Sequence, residues 1–287
     1  MYAEVKRPMN LNDSDLFPGM KEVPKEHEGA TEMMFFLARC HIGEFLKAFA
    51  NKKSTFDGVW NSLSTDAVTL ATKNKAIDEL EAMYERKFLR YCDHSVAWHY
   101  MCTYLIKAIL AMLRFIAHNP EHHGGSKEDI PQTEKDKLFR LAVQIVTFQN
   151  MCYTMKEMQG YLWHINSHFQ WKGFIYLVVE LRDRTQGEEV DEAWKQVEQV
   201  FEFHPSFGQE FSTRALSIAV TNFTLRAFDA YVAARGLPNG KEPLFIQILR
   251  RRVSERANTP SSSSRSLSQT HSEPHTCLLY TSDAADE

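Results

Sequence analysis

The chain has 287 residues, of which 44% are hydrophobic and 24% charged, and its formal net charge is -4. This composition is typical of a globular chain that buries a core, and it excludes a chain that is disordered throughout or embedded in a membrane. The acidic balance lacks the basic footprint of a nucleic-acid-binding domain, so we expect no direct DNA contact by this segment. The 12 glycines form no GxGxxG or P-loop pattern, which argues against a nucleotide site.

The five cysteines do not form a metal or redox motif, because no two are spaced as CxxC. Four of them lie in apolar or amphipathic runs, which predicts free thiols in a reducing compartment. Residues 1–10 contain no apolar run after their basic residues, so they do not resemble a secretory signal. We therefore expect an intracellular protein without a membrane segment.

The first half of the chain is predicted to be helical after a polar, proline-containing arm over residues 1–28. Apolar residues recur at three- and four-residue spacing from about residue 31, and again over about 66–91. A third helix is predicted to begin after Ser95 as its N-cap, and a fourth near Thr133. The third is apolar on most sides and is predicted to be the central core helix.

The second half continues the helical pattern. One long helix is predicted over about residues 161–184, and further helices over 188–203, 209–234 and 243–256. No convincing alternation with a period of two residues appears. The sequence therefore predicts an all-α fold, an antiparallel array of about seven to eight helices within a regulatory domain over residues 29–256.

The C-terminal residues differ in composition from the helical region. Residues 257–276 are rich in serine and are predicted to be a disordered linker. Residues 277–287 read CLLYTSDAADE, and their back-translation resembles the end of a widely used transposase sequencing adapter. We hypothesise that residues 277–287 are a sequencing-adapter artefact and leave them out of the fold.

A candidate site lies in the sequence WHINSHFQW. His164 and His168 are four residues apart on a predicted helix, a spacing that can present two imidazoles to one zinc ion. A zinc protease would need glutamate after the first histidine, but Ile165 stands there and no third ligand is near. We therefore favour polar helix-face histidines, and predict no catalytic, cofactor-binding or metal-binding residue.

The same stretch is a candidate effector pocket, because small-molecule sites often lie between packed helices. Its lining residues would be Trp163, His164, His168 and Trp171. The interpretation we favour is that the aromatic side chains, with Trp171 foremost, belong to the hydrophobic core, which is the commoner role of aromatics at helical spacing.

Two charged clusters are candidates for further sites. His118, with histidines and acidic residues over 121–129, could trap a metal, but we interpret the cluster as a solvated loop. The run Arg250–Arg252 could steer anionic partners or serve as a nuclear import patch. The interpretation we favour is that it complements the dipole at the end of its helix.

Three segments carry a resemblance to a known family: EGATEMMFFLARCHIGEFL, YERKFLRYCDHSVAWHYMC and WHINSHFQWKGFIYLVVELRDRTQGEEVDEAWKQVEQVFEFHP. They resemble the middle homology region of fungal zinc-cluster transcription factors, over about residues 4–205 and more weakly to 256. The resemblance implies an all-helical regulatory region without catalysis, and a nuclear location.

In that family a binuclear zinc cluster with six cysteines binds DNA, and this sequence contains neither the cluster nor the first half of the middle region. No DNA-contacting or zinc-ligating residue is therefore carried over, and no cofactor is expected in this fragment. The resemblance implies DNA contact only through the missing N-terminal module, with a second copy, transcriptional co-regulators or a small effector as candidate partners. The alternatives are a helical metal-dependent enzyme that uses His164 and His168, and a helical protein-interaction scaffold.

Overall fold

The computed structural model describes residues 6–49, 63, 68–119, 130–204, 215–236 and 240–257. Within these ranges the chain forms nine α-helices and no strand, which confirms the predicted all-α class. The helices are α1 Met34–Phe49, α2 Leu70–Lys87, α3 Ala97–His118, α4 Gln132–Met151, α5 Leu162–Ser167, α6 Trp171–Asp183, α7 Glu188–Phe203, α8 Ala215–Arg235 and α9 Leu244–Ala257. Short 3-10 helices lie at Asp13–Asp15, Leu89–Tyr91 and Lys156–Tyr161.

Helix α3 is the central helix, as its apolar sequence predicts. It contacts α1, α2 and α4, and its buried residues continue from Tyr100 to His118. By length and composition alone it could span a membrane, but 67% of its most apolar stretch is buried inside the fold. Its hydrophobic residues therefore form protein core.

The second half of the fold packs against α4, which contacts both α6 and α7. Phe139 and Ile145 of α4 and Phe174 and Leu177 of α6 are fully buried members of the main core. Helix α8 packs on α6. A smaller cluster then joins α8 to α9 through four buried side chains, Leu225, Phe228, Ile246 and Leu249.

A glycine allows the close approach of α6 to α4. A Cβ atom at Gly173 would lie 3.0 Å from Cγ2 of Ile145, tighter than ordinary packing. A second glycine makes the turn into α7, since Gly187 has φ +104°, a conformation that residues with a side chain rarely adopt. Both glycines lie in the stretch that resembles the fungal family most specifically.

The predicted single helix over residues 161–184 was wrong, because the structure divides it into two helices, α5 and α6. At the end of α5 the Ser167 hydroxyl donates to the His164 carbonyl oxygen at 2.8 Å. The backbone N–H of Gln170 donates to Oε1 of Gln149, 3.1 Å away on α4. Side-chain hydrogen bonds thus satisfy backbone groups at the break, and the helix axis can change there.

The predicted cap at Ser95 was also wrong. Helix α3 begins at Ala97, and the hydroxyl of Ser95 instead donates to the Asp93 carboxylate at 2.7 Å. Helix α4 begins at residue 132 after Pro131, with no capping side chain. A serine or threonine hydroxyl near a helix start can cap the helix or form a hydrogen bond with another nearby group. The sequence alone does not show which hydrogen bond forms.

Four cysteines lie in the described part of the chain, and all four are free thiols: Cys40, Cys92, Cys102 and Cys152. Cys102 and Cys152 are buried, whereas Cys40 and Cys92 are partly exposed. The predicted artefact over 277–287 lies outside the described residues, as does the serine-rich linker except for Ala257.

Candidate functional site

The candidate effector residues lie on α5 and at the break that follows it. Trp163 and His164 belong to α5, His168 lies in the break, and Trp171 is the first residue of α6. The Trp163 side chain is 72% exposed, and the other three are half-buried. The ring centroids of His164 and His168 are 4.3 Å apart, so the four-residue spacing does bring the two imidazoles together.

The two histidines are held differently. The His168 ring nitrogen Nδ1 lies 2.9 Å from the His164 carbonyl oxygen and 2.8 Å from the Ser167 hydroxyl. The His164 ring packs edge-on against Phe35 of α1 at 5.0 Å. Burial, with the neighbouring His168 and Arg39 charges, lowers the pKa of His164 to about 4, so its imidazole is neutral at pH 7.

A neutral imidazole is the form that ligates metals. Across the described ranges, however, no group of three or more His, Cys, Asp or Glu side chains is placed to share one ion. The arrangement around His164 and His168 therefore supplies two imidazole rings beside aromatic side chains, and no third ligand for a metal among the described residues.

The aromatic neighbours of this corner fall into two sets. On the side of α1, Phe35 packs against Trp98 at 5.8 Å, and Trp98 packs against Tyr161 at 5.4 Å. Phe36 beside them is 59% exposed, so it and Trp163 present aromatic surface to solvent. We call Phe35, Phe36, Trp98, Tyr161 and Trp163 the aromatic corner.

The second set lies around Trp171, which packs on Phe169 at 4.6 Å. Phe169 in turn packs on Phe174 and on the buried His204, both within 6 Å. Trp171 is half-buried and packs against the main core, so it lies at the edge of the core. Phe174, three residues on, is the fully buried side chain.

His118 lies in the interior, not in a solvated loop as we had interpreted it. It is 7% exposed at the end of α3, because α2 and α4 cover it. Its Nδ1 lies 2.9 Å from Glu134 Oε2, and its Nε2 lies 2.9 Å from Lys137 Nζ and 3.0 Å from Asn74 Oδ1. The remaining members of the predicted cluster, over residues 121–129, lie outside the described residues.

The arginine run within α9 is largely paired. Arg250 contacts Asp229 and Glu242, and Arg251 lies 3.8 Å from Glu255. Burial lowers the pKa of Arg252, with Arg251 adding to the effect. These pairs hold α9 to α8 and to the preceding loop, which is a structural role for Arg250.

A cleft that the sequence patterns did not indicate lies between the N-terminal segment, the first half of α1 and the end of α2. Its volume is about 660 Å³. Its lining includes four cationic side chains, Arg7, Arg86, Lys87 and Arg90. The clustering of three of them in ERKFLRY was the available signal, but the contribution of Arg7 depends on the fold.

The described residues thus form a helical domain with one main core, an aromatic corner and a basic cleft, which is the form of a helical regulatory or binding domain. The chain is 29% identical to the aurofusarin cluster transcription factor aurR2 of Gibberella zeae over 270 residues, 94% of this chain and 39% of the relative. It is 27% identical to the transcriptional regulator AacuB of Aspergillus aculeatus over 194 residues, 67% of this chain and 26% of the relative.

A third relative is the pyriculol/pyriculariol biosynthesis cluster transcription factor 1 of Pyricularia oryzae, with 26% identity over 214 residues, 70% of this chain and 27% of the relative. No family model matches the chain, and no solved structure gives a significant match. The chain is therefore a homologue of fungal gene-cluster transcription factors, which confirms the resemblance seen in its sequence. It spans about two fifths of the length of the first relative and about a quarter of the other two.

Proposed function

We propose that this chain is the regulatory, non-catalytic portion of a fungal transcription factor that acts in the nucleus. The observation that carries the proposal is the similarity to named transcription regulators over most of the chain. In the proposal, DNA contact and the structural zinc belong to a separate module of the longer protein. The formal charge of -4 supports this division, because a surface that binds DNA carries an excess of basic residues.

The proposal gives the helical domain the task of receiving a signal or a partner. The aromatic corner supports the partner role, because exposed aromatic side chains are enriched at protein interfaces. Trp163 and Phe36 supply such surface beside the neutral His164. Candidate partners are a transcriptional co-regulator, a second copy of the chain, and a small effector.

A reporter assay tests the regulatory role. The full chain is fused to a bacterial repressor DNA-binding domain, and its effect on a reporter gene in yeast is compared with that of the DNA-binding domain alone. We expect the fused chain to change reporter output in either direction. The Phe174→Ala fusion should lose the effect because a fully buried side chain is truncated, whereas the exposed Arg182→Gln should retain it.

Equal reporter output from the fusion and from the DNA-binding domain alone, at equal protein levels, would count against the proposal. Metal analysis of the purified chain addresses the enzyme alternative. A stoichiometric metal that is lost in both His164→Gln and His168→Gln would favour that alternative. Sequence-discriminating DNA binding by the chain alone would contradict the separation of regulation from DNA contact.

A further inference from the structure

The basic cleft has a wall that is fixed by hydrogen bonds. Asn10 closes the N-terminal segment on itself, because its Nδ2 donates to the carbonyl oxygens of His27 at 2.8 Å and Gly29 at 2.9 Å. The Thr31 hydroxyl donates to Asn10 Oδ1 at 2.6 Å. Gly29 has φ +106°, and a Cβ atom there would lie 2.8 Å from Tyr91 Cγ. The segment is thus seated directly against Tyr91 and forms one side of the cleft.

The cations of the cleft come from two separate parts of the chain. Arg86, Lys87 and Arg90 lie on the last turn of α2 and the 3-10 turn after it, and all three are exposed. None of the three has an acidic partner among the residues that the structure describes. A helix end alone accounts for basic residues in its last turn. It does not account for Arg7, which reaches the same cleft from the N-terminal segment.

Arg7 is positioned by α1, since its guanidinium lies 3.2 Å from Glu44 and 3.0 Å from a ring nitrogen of His41. Two carboxylates, Glu26 and Glu28, also line the cleft. Glu26 accepts a hydrogen bond from the Asn10 backbone at 3.2 Å, so it helps to hold the wall. With Glu44 paired to Arg7, four cations face three carboxylates, so one positive charge remains in excess around the cleft of a protein whose net charge is negative.

Apolar side chains form part of the floor of the cleft. Leu37 and Phe88 line it and are themselves 6% and 3% exposed, while the Tyr91 ring is 45% exposed beside them. Cations around an apolar floor match a molecule with an anionic group and a hydrophobic body, and small-molecule sites have volumes of roughly 300–1,000 Å³. Such a cleft also concentrates ligands of opposite charge.

We propose that this cleft binds a small organic anion, an aromatic or aliphatic carboxylate or phosphate whose body lies on the Tyr91 ring and whose charge lies among Arg7, Arg86, Lys87 and Arg90. Binding itself does not depend on the proposed regulatory function. Only the consequence, that such an anion is an effector of the regulator, rests on it.

The test uses the purified full chain and three probes: 1-naphthoate, the uncharged 1-naphthamide with the same body, and inorganic phosphate. Titration calorimetry should show that 1-naphthoate binds at least about tenfold more tightly than 1-naphthamide, because charge-assisted contacts are lost with the amide. Phosphate should bind more weakly than naphthoate since it leaves the apolar floor empty. Raising the salt concentration should weaken naphthoate binding.

Substitutions separate the cleft from the rest of the surface. The double variant Arg86→Gln with Arg90→Gln should lose about tenfold or more in naphthoate affinity. Tyr91→Ala should weaken naphthoate binding without changing that of phosphate. Arg182→Gln, an exposed arginine on α6, is the matched control and should bind as the unmodified chain does.

Equal affinity for naphthoate and naphthamide, naphthoate affinity unchanged in the double variant, or no detectable binding of naphthoate would overturn the proposal. Circular dichroism confirms that each variant is folded. If the chain binds naphthoate but its fusion gives the same reporter output as the DNA-binding domain alone, the binding site stands. The regulatory function is then contradicted instead.

Discussion

The Nζ atom of Lys137 lies 2.9 Å from Nε2 of His118, and Nδ1 of the same ring lies 2.9 Å from Glu134 Oε2. An ammonium can only donate, so the Lys137 contact fits a neutral imidazole with its proton on Nδ1, whereas Oδ1 of Asn74, 3.0 Å from the same Nε2, could accept only from the protonated ring. Burial lowers the pKa of His118, against the opposing effect of Glu134 and with a further lowering by Lys137. Protonation would place two cations in contact inside the protein.

This arrangement predicts that the protein loses stability in mild acid. Burial also lowers the pKa values of His164 and His204 to about 4. In the unfolded chain histidine takes up its proton near pH 6.5. The unfolding free energy is therefore undiminished above about pH 6.5. It falls as the pH falls toward 4, by on the order of 1 kcal/mol for each buried histidine, because only the unfolded chain takes up the proton.

Urea unfolding at pH 7.5 and pH 5 measures this effect, and the unfolding free energy should be lower at pH 5. The variant His118→Gln should show a smaller difference between the two pH values than the unmodified chain. The exposed His94→Gln is the control and should keep the full difference. An unfolding free energy that is the same at both pH values, or higher at pH 5, would refute the prediction.

Two helical glycines should respond to alanine in opposite directions. At Gly43 a Cβ atom would meet nothing within 4 Å, so Gly43→Ala should stabilise the protein by about 0.5–1 kcal/mol through its better helix propensity. At Gly173 the added methyl would press on Ile145, and Gly173→Ala should fail to stabilise or should destabilise by about 1 kcal/mol. Thermal melting of both variants measures these changes in stability. A stabilised Gly173→Ala variant would show that α4 and α6 can move apart without a loss of stability.

The burial of three aromatic residues predicts the order in which their alanine variants lose stability. Phe174→Ala should cost about 3–5 kcal/mol because the side chain is fully buried. Trp163→Ala, at 72% exposure, should fall within about 0.5 kcal/mol of the unmodified chain. The half-buried Trp171→Ala should lie between them. Urea titration gives all three values, and a Trp163 variant that unfolds as readily as Phe174→Ala would mean that the aromatic corner is packed.

The side chain of Arg184 links α4 to the end of α6. Its Nη1 lies 2.7 Å from Asp136, its Nε lies 3.2 Å from Glu180, and its guanidinium stacks 4.8 Å from the Phe139 ring centroid. Lysine keeps the charge but not the planar fork, so Arg184→Lys should cost about 1–2 kcal/mol. At the exposed Arg182, the same exchange should change stability by less than about 0.5 kcal/mol.

Denaturant unfolding at low and high salt checks this pair of variants. The Arg184→Lys variant should remain less stable than the unmodified chain at high salt, because the stacking on Phe139 is not screened. Equal stability of the Arg184 and Arg182 variants would show that the contacts of Arg184 contribute nothing beyond a surface ion pair.

The sequence alone determined the helical class and several elements closely. Helix α7 was predicted over residues 188–203, where the structure has it, because Trp194, Val197 and Phe201 recur at three- and four-residue spacing. The central position of α3 also followed from its apolar sequence, since a helix without a polar face must be buried. The bounds and the burial of these helices depend on the spacing of apolar residues within one segment, so the sequence pattern predicts them directly.

Only the tertiary structure decided the features that join distant segments. The break between α5 and α6 uses Gln149 of α4, and the burial of His118 depends on Glu134 and Lys137. The basic cleft exists because the N-terminal segment brings Arg7 beside the end of α2. Each of these depends on side chains that meet across the fold, where hydrogen bonding and burial are set by a neighbour that local spacing in the sequence does not identify.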